Sequence, residues 1–355
     1  MALERSLAGL ALILVLAAPF FFLTGPGRPA MVAVPTPNLA LAASPSPKLE
    51  PSKEQEGEWQ RGVYLTAPAL ARLEREGRLE PFIAAMREVG LNTVVIDIKD
   101  MSGGVTYESK VPLVKELHAV TVRLDLPRLL GLLKAKGIYT IARQVALYDP
   151  KLAKYLKSAS APWVSPTDER VVEYNLAIAQ EALALGFDEL QFDYIRYPDD
   201  GKLAAVAAYE ARYAAITNFL REARARLKGR LSIDVFGRTL WEWNKKRIDP
   251  IGQHLEGLAP YVDWISPMVY PSHYEQALRD KPYETVRRAL EAGLKRGLRL
   301  RPFLQAFQMA IPAGMDYHDY IRAQVRAAEE LGFKSYLFWN PRSDYSALFA
   351  ALRGR

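Results

Sequence analysis

The stretch DELQFDYIRYPDD, residues 188–200, carries Gln191, Asp193 and Arg196 through an otherwise hydrophobic run before a turn-forming Pro-Asp-Asp-Gly. A strand that only packs rarely keeps such groups, because a buried carboxylate without a partner is costly. Two other hydrophobic runs do the same: TVVIDIKD brings Asp97 and Lys99, and LSIDVFG brings Asp234. Carboxyl groups in pairs suit reactions in which one donates a proton while the other, ionised, attacks or activates water.

Such acids act together only if the chain gathers them. From Trp59 onward one pattern recurs, a charged helical stretch ending in Gly and followed by a hydrophobic strand. It runs through REVGLNTVVIDIKD, KAKGIYTIARQVAL, LALGFDELQFDY, RLKGRLSIDVFG, LKRGLRLRPFLQ and EELGFKSYLFWN. Gly90, Gly137, Gly186, Gly229, Gly297 and Gly332 sit at the helix ends, where the backbone often turns left-handed. EGLAPYVDWISPMVYP is a looser copy, and RGVYLTAP supplies an opening strand. SPTDE at 165–169 offers Ser165 as a helix cap with Pro166 in the first turn. Eight strands alternating with helices over about 295 residues predict an α/β fold, a (β/α)8 TIM barrel, whose usual size is about 250 residues. The rival, a doubly wound sheet, expects a Gly-rich loop after its first strand, and YLTAPALAR has none.

Chemistry in such a barrel collects at the C-terminal strand ends. Alternation then turns every second side chain inward. Tyr64 is inward on the first strand, Asp97 and Lys99 on the second, Gln191 and Asp193 on the fourth, Asp234 on the fifth and Tyr270 on the sixth. The last two strands end in Gln305 and in Trp339-Asn340. On the third, either Arg143 or Gln144 points inward. Asp97, Asp193 and Asp234 thus line one mouth as candidate catalytic carboxylates, with Asp234 the expected proton donor and Asp97 the alternative partner. Tyr64, Lys99, Arg143, Gln191, Arg196, Tyr270, Gln305, Trp339 and Asn340 are expected to line the substrate. Lys99 or Arg196 is expected to keep Asp193 charged; pairs of Asp97 with Lys99 and Asp193 with Arg196 also suit a polar barrel top without chemistry. Trp339 offers a flat face with a polar edge, suited to stacking on a sugar ring. Substituting Asn for Asp193 is expected to leave the melting temperature nearly unchanged.

Composition removes other classes. The 355 residues contain no cysteine, which excludes disulfides, thiolate metal sites and a cysteine nucleophile. Four scattered histidines, His118, His254, His273 and His318, lack zinc-site spacing, and no metal or other cofactor is expected. The net charge of +7 is dispersed as mixed Lys, Arg and Glu, which argues against nucleic acid as a partner. Ala8 to Leu23 is a nearly uncharged apolar run, so residues 1–25 read as a signal peptide or membrane anchor. Residues 26–57 read as a Pro-rich linker, and 58–355 as the barrel domain. That predicts an extracytoplasmic domain meeting membrane only through its N-terminal segment; oligomeric state is left open.

Several long segments carry a resemblance: VVIDIKD, ARQVALYDP, GFDELQFDYIRYP, DVFG, IGQHLEGLAPYVDWISPMVYPSHY, RPFLQAF and LFWN. Over about residues 61–345 the chain resembles a bacterial family of glycoside-hydrolase-type TIM barrels, the domain of unknown function 4015. The resemblance implies a carbohydrate substrate, cleavage of O-glycosidic bonds, and Asp193 at the catalytic centre. It also implies an acid after the Gln of strand seven, where this chain has Ala306. A weaker likeness is to chitinase-type barrels with a D-x-x-D-x-D-x-E fourth strand. Asp188 and Asp193 fit that pattern, but Gln191 and Ile195 replace its other acids, so a substrate-assisted mechanism is not implied. The missing acids also raise an alternative, a carbohydrate-binding envelope protein without turnover.

Overall fold

The computed structural model describes residues 59–199 and 209–353. The expected N-terminal apolar segment and linker lie outside these residues. Among the described residues no helix is long and apolar enough to cross a membrane. The ten strands are β1 (Arg61–Leu65), β2 (Thr93–Lys99), β3 (Val105–Tyr107), β4 (Val120–Leu124), β5 (Tyr139–Val145), β6 (Glu189–Asp193), β7 (Arg230–Phe236), β8 (Trp264–Met268), β9 (Phe303–Gln305) and β10 (Tyr336–Trp339). Eight of them, all except β3 and β4, pair in parallel in the ring β1-β2-β5-β6-β7-β8-β9-β10, and β1 closes it by pairing with both β10 and β2. This is the (β/α)8 barrel expected from the alternation.

The period-two reading of the strands holds except at Lys99, where the β2 ladder is irregular. Val63, Leu65, Val94, Ile96, Ile98, Ile233 and Val235 are buried in the layer between strands and helices. Tyr64, Val95, Ile141, Tyr270, Phe303 and Leu337 form a separate inner cluster. Burying each such side chain stabilises the fold by about 1.5–3 kcal/mol. A buried ion pair closes the N-terminal end of the barrel. Arg301 grips Glu189 with both terminal nitrogens, and Tyr139 (3.1 Å) and Ser232 also donate to that carboxylate.

Two local expectations change. Gly186 does cap the helix Glu169–Leu185 in a left-handed conformation at φ 108°, but Gly229 has no positive φ. A Cβ there would meet the Leu183 side chain at 3.1 Å, so close approach is the reason for glycine. The same helix is capped by Asp168, whose carboxylate accepts the Arg170 N–H, and not by Ser165. The excursion β3–β4 between β2 and β5 was not anticipated. β3 pairs antiparallel with β2 across a turn in which Asp100 accepts the N–H groups of Ser102 and Gly104. Its Thr106 hydroxyl donates to the Asp97 carbonyl at 2.6 Å, bracing the end of β2.

Candidate active site

Strand register decides which polar side chains meet. On β2 and β5, Asp97 stands opposite Arg143. On β5 and β6, Arg143 stands opposite Gln191, and Asp193 lies two residues higher opposite Val145. Asp234 on β7 stands opposite Ser266 of β8. Arg143 therefore points into the mouth, resolving the choice on strand three, while Gln144 points outward to the Asn175 side chain and carbonyl at 2.9 Å.

Arg143 is the hub. Its Nη1 meets Asp97 Oδ1 at 2.5 Å, its Nη2 and Nε meet Asp193 Oδ2 at 2.5 and 3.0 Å, and its Nε lies 3.9 Å from Asp234 Oδ2. Asp193 Oδ1 accepts the Tyr194 N–H at 2.6 Å. Asp97 Oδ2 accepts the Tyr64 hydroxyl at 2.5 Å. All three acids and the arginine are buried.

One guanidinium serves three carboxyl groups, so their environments diverge. Burial pushes Asp234 well above the ordinary carboxyl range, the Asp193 charge pushes it further, and Arg143 offsets only part. Its Oδ1 has no hydrogen-bond partner. Burial also raises Asp97, against the pull of Arg143 and the Tyr64 hydroxyl. Burial disfavours the Arg143 charge, but Asp193 and Asp97 outweigh it and hold the guanidinium protonated. Asp193 and Asp234 thus form an asymmetric pair, one charge-compensated and one inclined to keep its proton.

Aromatic rings wall this cluster. Trp339 stacks on Tyr64 with centroids 3.8 Å apart, and Arg143 lies 4.9 Å from the Trp339 ring and 5.3 Å from that of Tyr64. Trp339 is half-buried, and the buried Tyr270 hydroxyl has no hydrogen-bond partner. Gln191 sits a layer deeper, its amide donating to Ser266 at 3.2 Å.

Other expected site residues lie elsewhere. Lys99 does not face the acids: a register shift between Asp97 and Lys99 turns it to Asp149, at 2.8 Å, and to the Tyr174 ring behind the sheet. Arg196 pairs with Asp199 at 3.0 Å rather than with Asp193. Neither cation compensates Asp193; Arg143 does. Gln305 accepts the Ser272 N–H and Tyr320 hydroxyl and donates to the Phe307 and Met309 carbonyls. Asn340 donates to the Ala306 and Asp344 carbonyls. Both amides pin rim loops and have their polar groups committed. Alternation left Arg143 and Gln144 as alternatives, and only the register opposite Asp97 and Gln191 makes Arg143 the hub; the Tyr194 N–H is a contact that side-chain patterns cannot reveal.

A family model described as "Putative glycosyl hydrolase domain" matches residues 62–345. The chain belongs to that family. Among solved structures, a hypothetical protein from Ruminiclostridium thermocellum ATCC 27405 is 30% identical over 49% of this chain and 97% of its own, with a TM-score of 0.42. The glycoside hydrolase domain of PgaB (BpsB) from Bordetella bronchiseptica is 15% identical over 83% of this chain and 98% of its own, with a TM-score of 0.62. A GH18 chitinase from Cycas revoluta, in complex with (GlcNAc)3, is 11% identical over 83% and 99%, with a TM-score of 0.52. No curated protein matches this chain. At such identities the last two likenesses establish the barrel alone. At the position of the chitinase-type acid stands Ile195, buried in the apolar layer.

Proposed function

We propose that this glycosyl-hydrolase-like barrel cleaves O-glycosidic bonds of a poly- or oligosaccharide, with Asp193 as nucleophile and Asp234 as acid. The carrying observation is the asymmetric pair sharing Arg143. Asp234, raised by burial and by the Asp193 charge, keeps a proton to give the departing oxygen. Asp193, gripped by the guanidinium, presents a carboxylate. Both Oδ2 atoms lie against Arg143 Nε, at 3.0 and 3.9 Å. They are therefore no more than about 7 Å apart, a span covering the retaining range of about 5–5.5 Å and only the bottom of the inverting range, about 6.5–9.5 Å. In the retaining route Asp193 attacks the anomeric carbon as Asp234 protonates the leaving oxygen. Asp234 then takes a proton from the water that releases the sugar.

The test is Asp234→Asn on aryl glycosides of graded leaving-group acidity, drawn from a panel of sugars. The variant is expected to lose about 10²–10⁴-fold on poor leaving groups, much less on 2,4-dinitrophenyl glycosides, and to lose the alkaline fall in rate. Equal losses on every leaving group would remove Asp234 as the acid. The second reading, carbohydrate binding without turnover, is favoured by one observation. Both Asp193 oxygens already accept hydrogen bonds, two from Arg143 and one from Tyr194. Glycan binding with no sugar released from any bound glycan selects it.

The apolar run Ala8–Leu23 supports an extracytoplasmic location, with the domain exported or anchored by that segment. A chain starting near Glu56 is expected to remain soluble and as active as the full chain. In intact cells expressing the full chain, added protease is expected to reach the barrel. A protected barrel in the cytoplasmic fraction overturns the location.

A further inference from the structure

We propose that a cleft between the loops following β5 and β6 binds one neutral sugar residue of a glycan; the inference rests on the carbohydrate reading above and names a recognition site for it. The cleft encloses about 250 Å³, and its lining includes Ser158, Trp163, Ser165, Asp168, Arg196 and Tyr197. It lies on the C-terminal face, where the barrel carries its carboxyl cluster.

Arg196 is held there as a rigid plate. Its guanidinium lies 4.7 Å from the rings of both Trp163 and Phe236. One nitrogen, Nη1, donates to the Tyr197 carbonyl and to Asp199, each at 3.0 Å. Among the described residues no hydrogen bond engages its Nε or Nη2. A planar fork fixed by stacking loses little freedom when it binds a ligand oxygen. Burial holds the Tyr197 hydroxyl protonated as a donor, against the pull of the neighbouring Ser165 hydroxyl, and it makes no well-formed hydrogen bond. A buried hydroxyl of this kind asks for a partner.

The lining is mixed in hydrogen-bonding sense and balanced in charge. Arg196 and Tyr197 offer donors; Asp168, bonded to Arg170, and the hydroxyls of Ser158 and Ser165, bonded within their loop, keep lone pairs that can accept further hydrogen bonds. Asp199 offsets Arg196, and Arg170 offsets Asp168 at 2.7 Å. Adjacent hydroxyls of a neutral sugar need donors and acceptors side by side, whereas a uronate or phosphate needs surplus positive charge, which this lining lacks. The cleft also communicates with the acid cluster. Tyr194, at a left-handed φ of 52°, gives its N–H to Asp193 and packs its ring 6.0 Å from Trp163 and 5.5 Å from the Arg196 guanidinium. Such a conformation in a non-glycine residue persists only where its surroundings enforce it.

Calorimetric titration of the Asp234→Asn chain with neutral hexasaccharides of glucose, galactose and N-acetylglucosamine, and with a galacturonate hexamer, tests the site. At least one neutral hexasaccharide is expected to bind more tightly than the galacturonate. Ala159→Trp, which fills the cleft from an exposed lining position, is expected to weaken that binding by about tenfold or more. Arg196→Gln is expected to act in the same direction, with thermal melts reporting folding of both. Neutral binding unchanged in Ala159→Trp, preference for galacturonate, or no binding by any hexasaccharide overturns the proposal. Because binding is read without turnover, cleft-dependent binding with no hydrolysis by the wild-type chain defeats the catalytic reading and leaves this one standing. Hydrolysis by the wild-type chain with cleft-independent binding does the reverse.

Discussion

Asp193→Asn is expected to lower the rate of glycan hydrolysis by on the order of 10³-fold or more, the scale of removing a group that forms bonds in the transition state. An amide oxygen attacks an anomeric carbon poorly, and no neighbouring acid replaces it, since Asp97 is bound to both Tyr64 and Arg143. The buried ion pair revises the expectation, drawn from the sequence alone, of a nearly unchanged melting temperature. Asparagine keeps an acceptor for Arg143 but forfeits the charge-assisted pairing, while Asp97 still partners the guanidinium. The expected cost is about 1–3 kcal/mol, seen as a drop of several degrees. Rate measurements on the substrate panel, beside melts, check both halves. Full activity in a folded Asp193→Asn chain would falsify the assignment.

Arg143→Leu is expected to be the most destabilising single change at the barrel mouth, by about 3–5 kcal/mol at neutral pH. It strands three buried carboxyl groups without their cation. The pH dependence is diagnostic. Asp97 and Asp234 have folded pKa values raised above the unfolded value of about 3.9, so between those limits the folded state binds more protons than the unfolded state. Stability from these groups is present below the unfolded value and is lost as pH rises through the folded ones. Removing Arg143 deepens that loss, so the variant's deficit should be smallest at or below about pH 4 and grow toward neutrality. Urea melts of both chains across that range decide it. A deficit independent of pH would mean that lost packing, not stranded charge, is the cause.

The barrel was legible because its two signals are local, helix-ending glycines and period-two strands, and each acid's inward direction followed from alternation. What the sequence withheld was lateral. Lys99 has the parity of Asp97, yet one irregularity in the ladder turns it through the sheet to Asp149. Arg196 lies close to Asp193 along the chain, but the left-handed Tyr194 breaks the strand geometry between them. Gln305 and Asn340 looked like recognition amides because position at a strand end does not disclose that loop carbonyls occupy them. Arg143 was ambiguous on its own strand, and only its neighbours across two ladders make it the centre.

The contact of Arg143 with both Asp193 and Asp234 gives the pair a form of timing. The negative charge on Asp193 is, after burial itself, the main influence holding the proton on Asp234. Along the retaining route that charge disappears when Asp193 becomes an ester of the sugar, and the guanidinium it occupied is left facing Asp234 across 3.9 Å. Both changes make Asp234 a stronger acid after it has delivered its proton, so it stays ionised while it awaits a water molecule. Release of the sugar restores the Asp193 charge and with it the proton affinity of its neighbour. On the proposed retaining route, the proton cycle would thereby be geared to the covalent one through a single arginine.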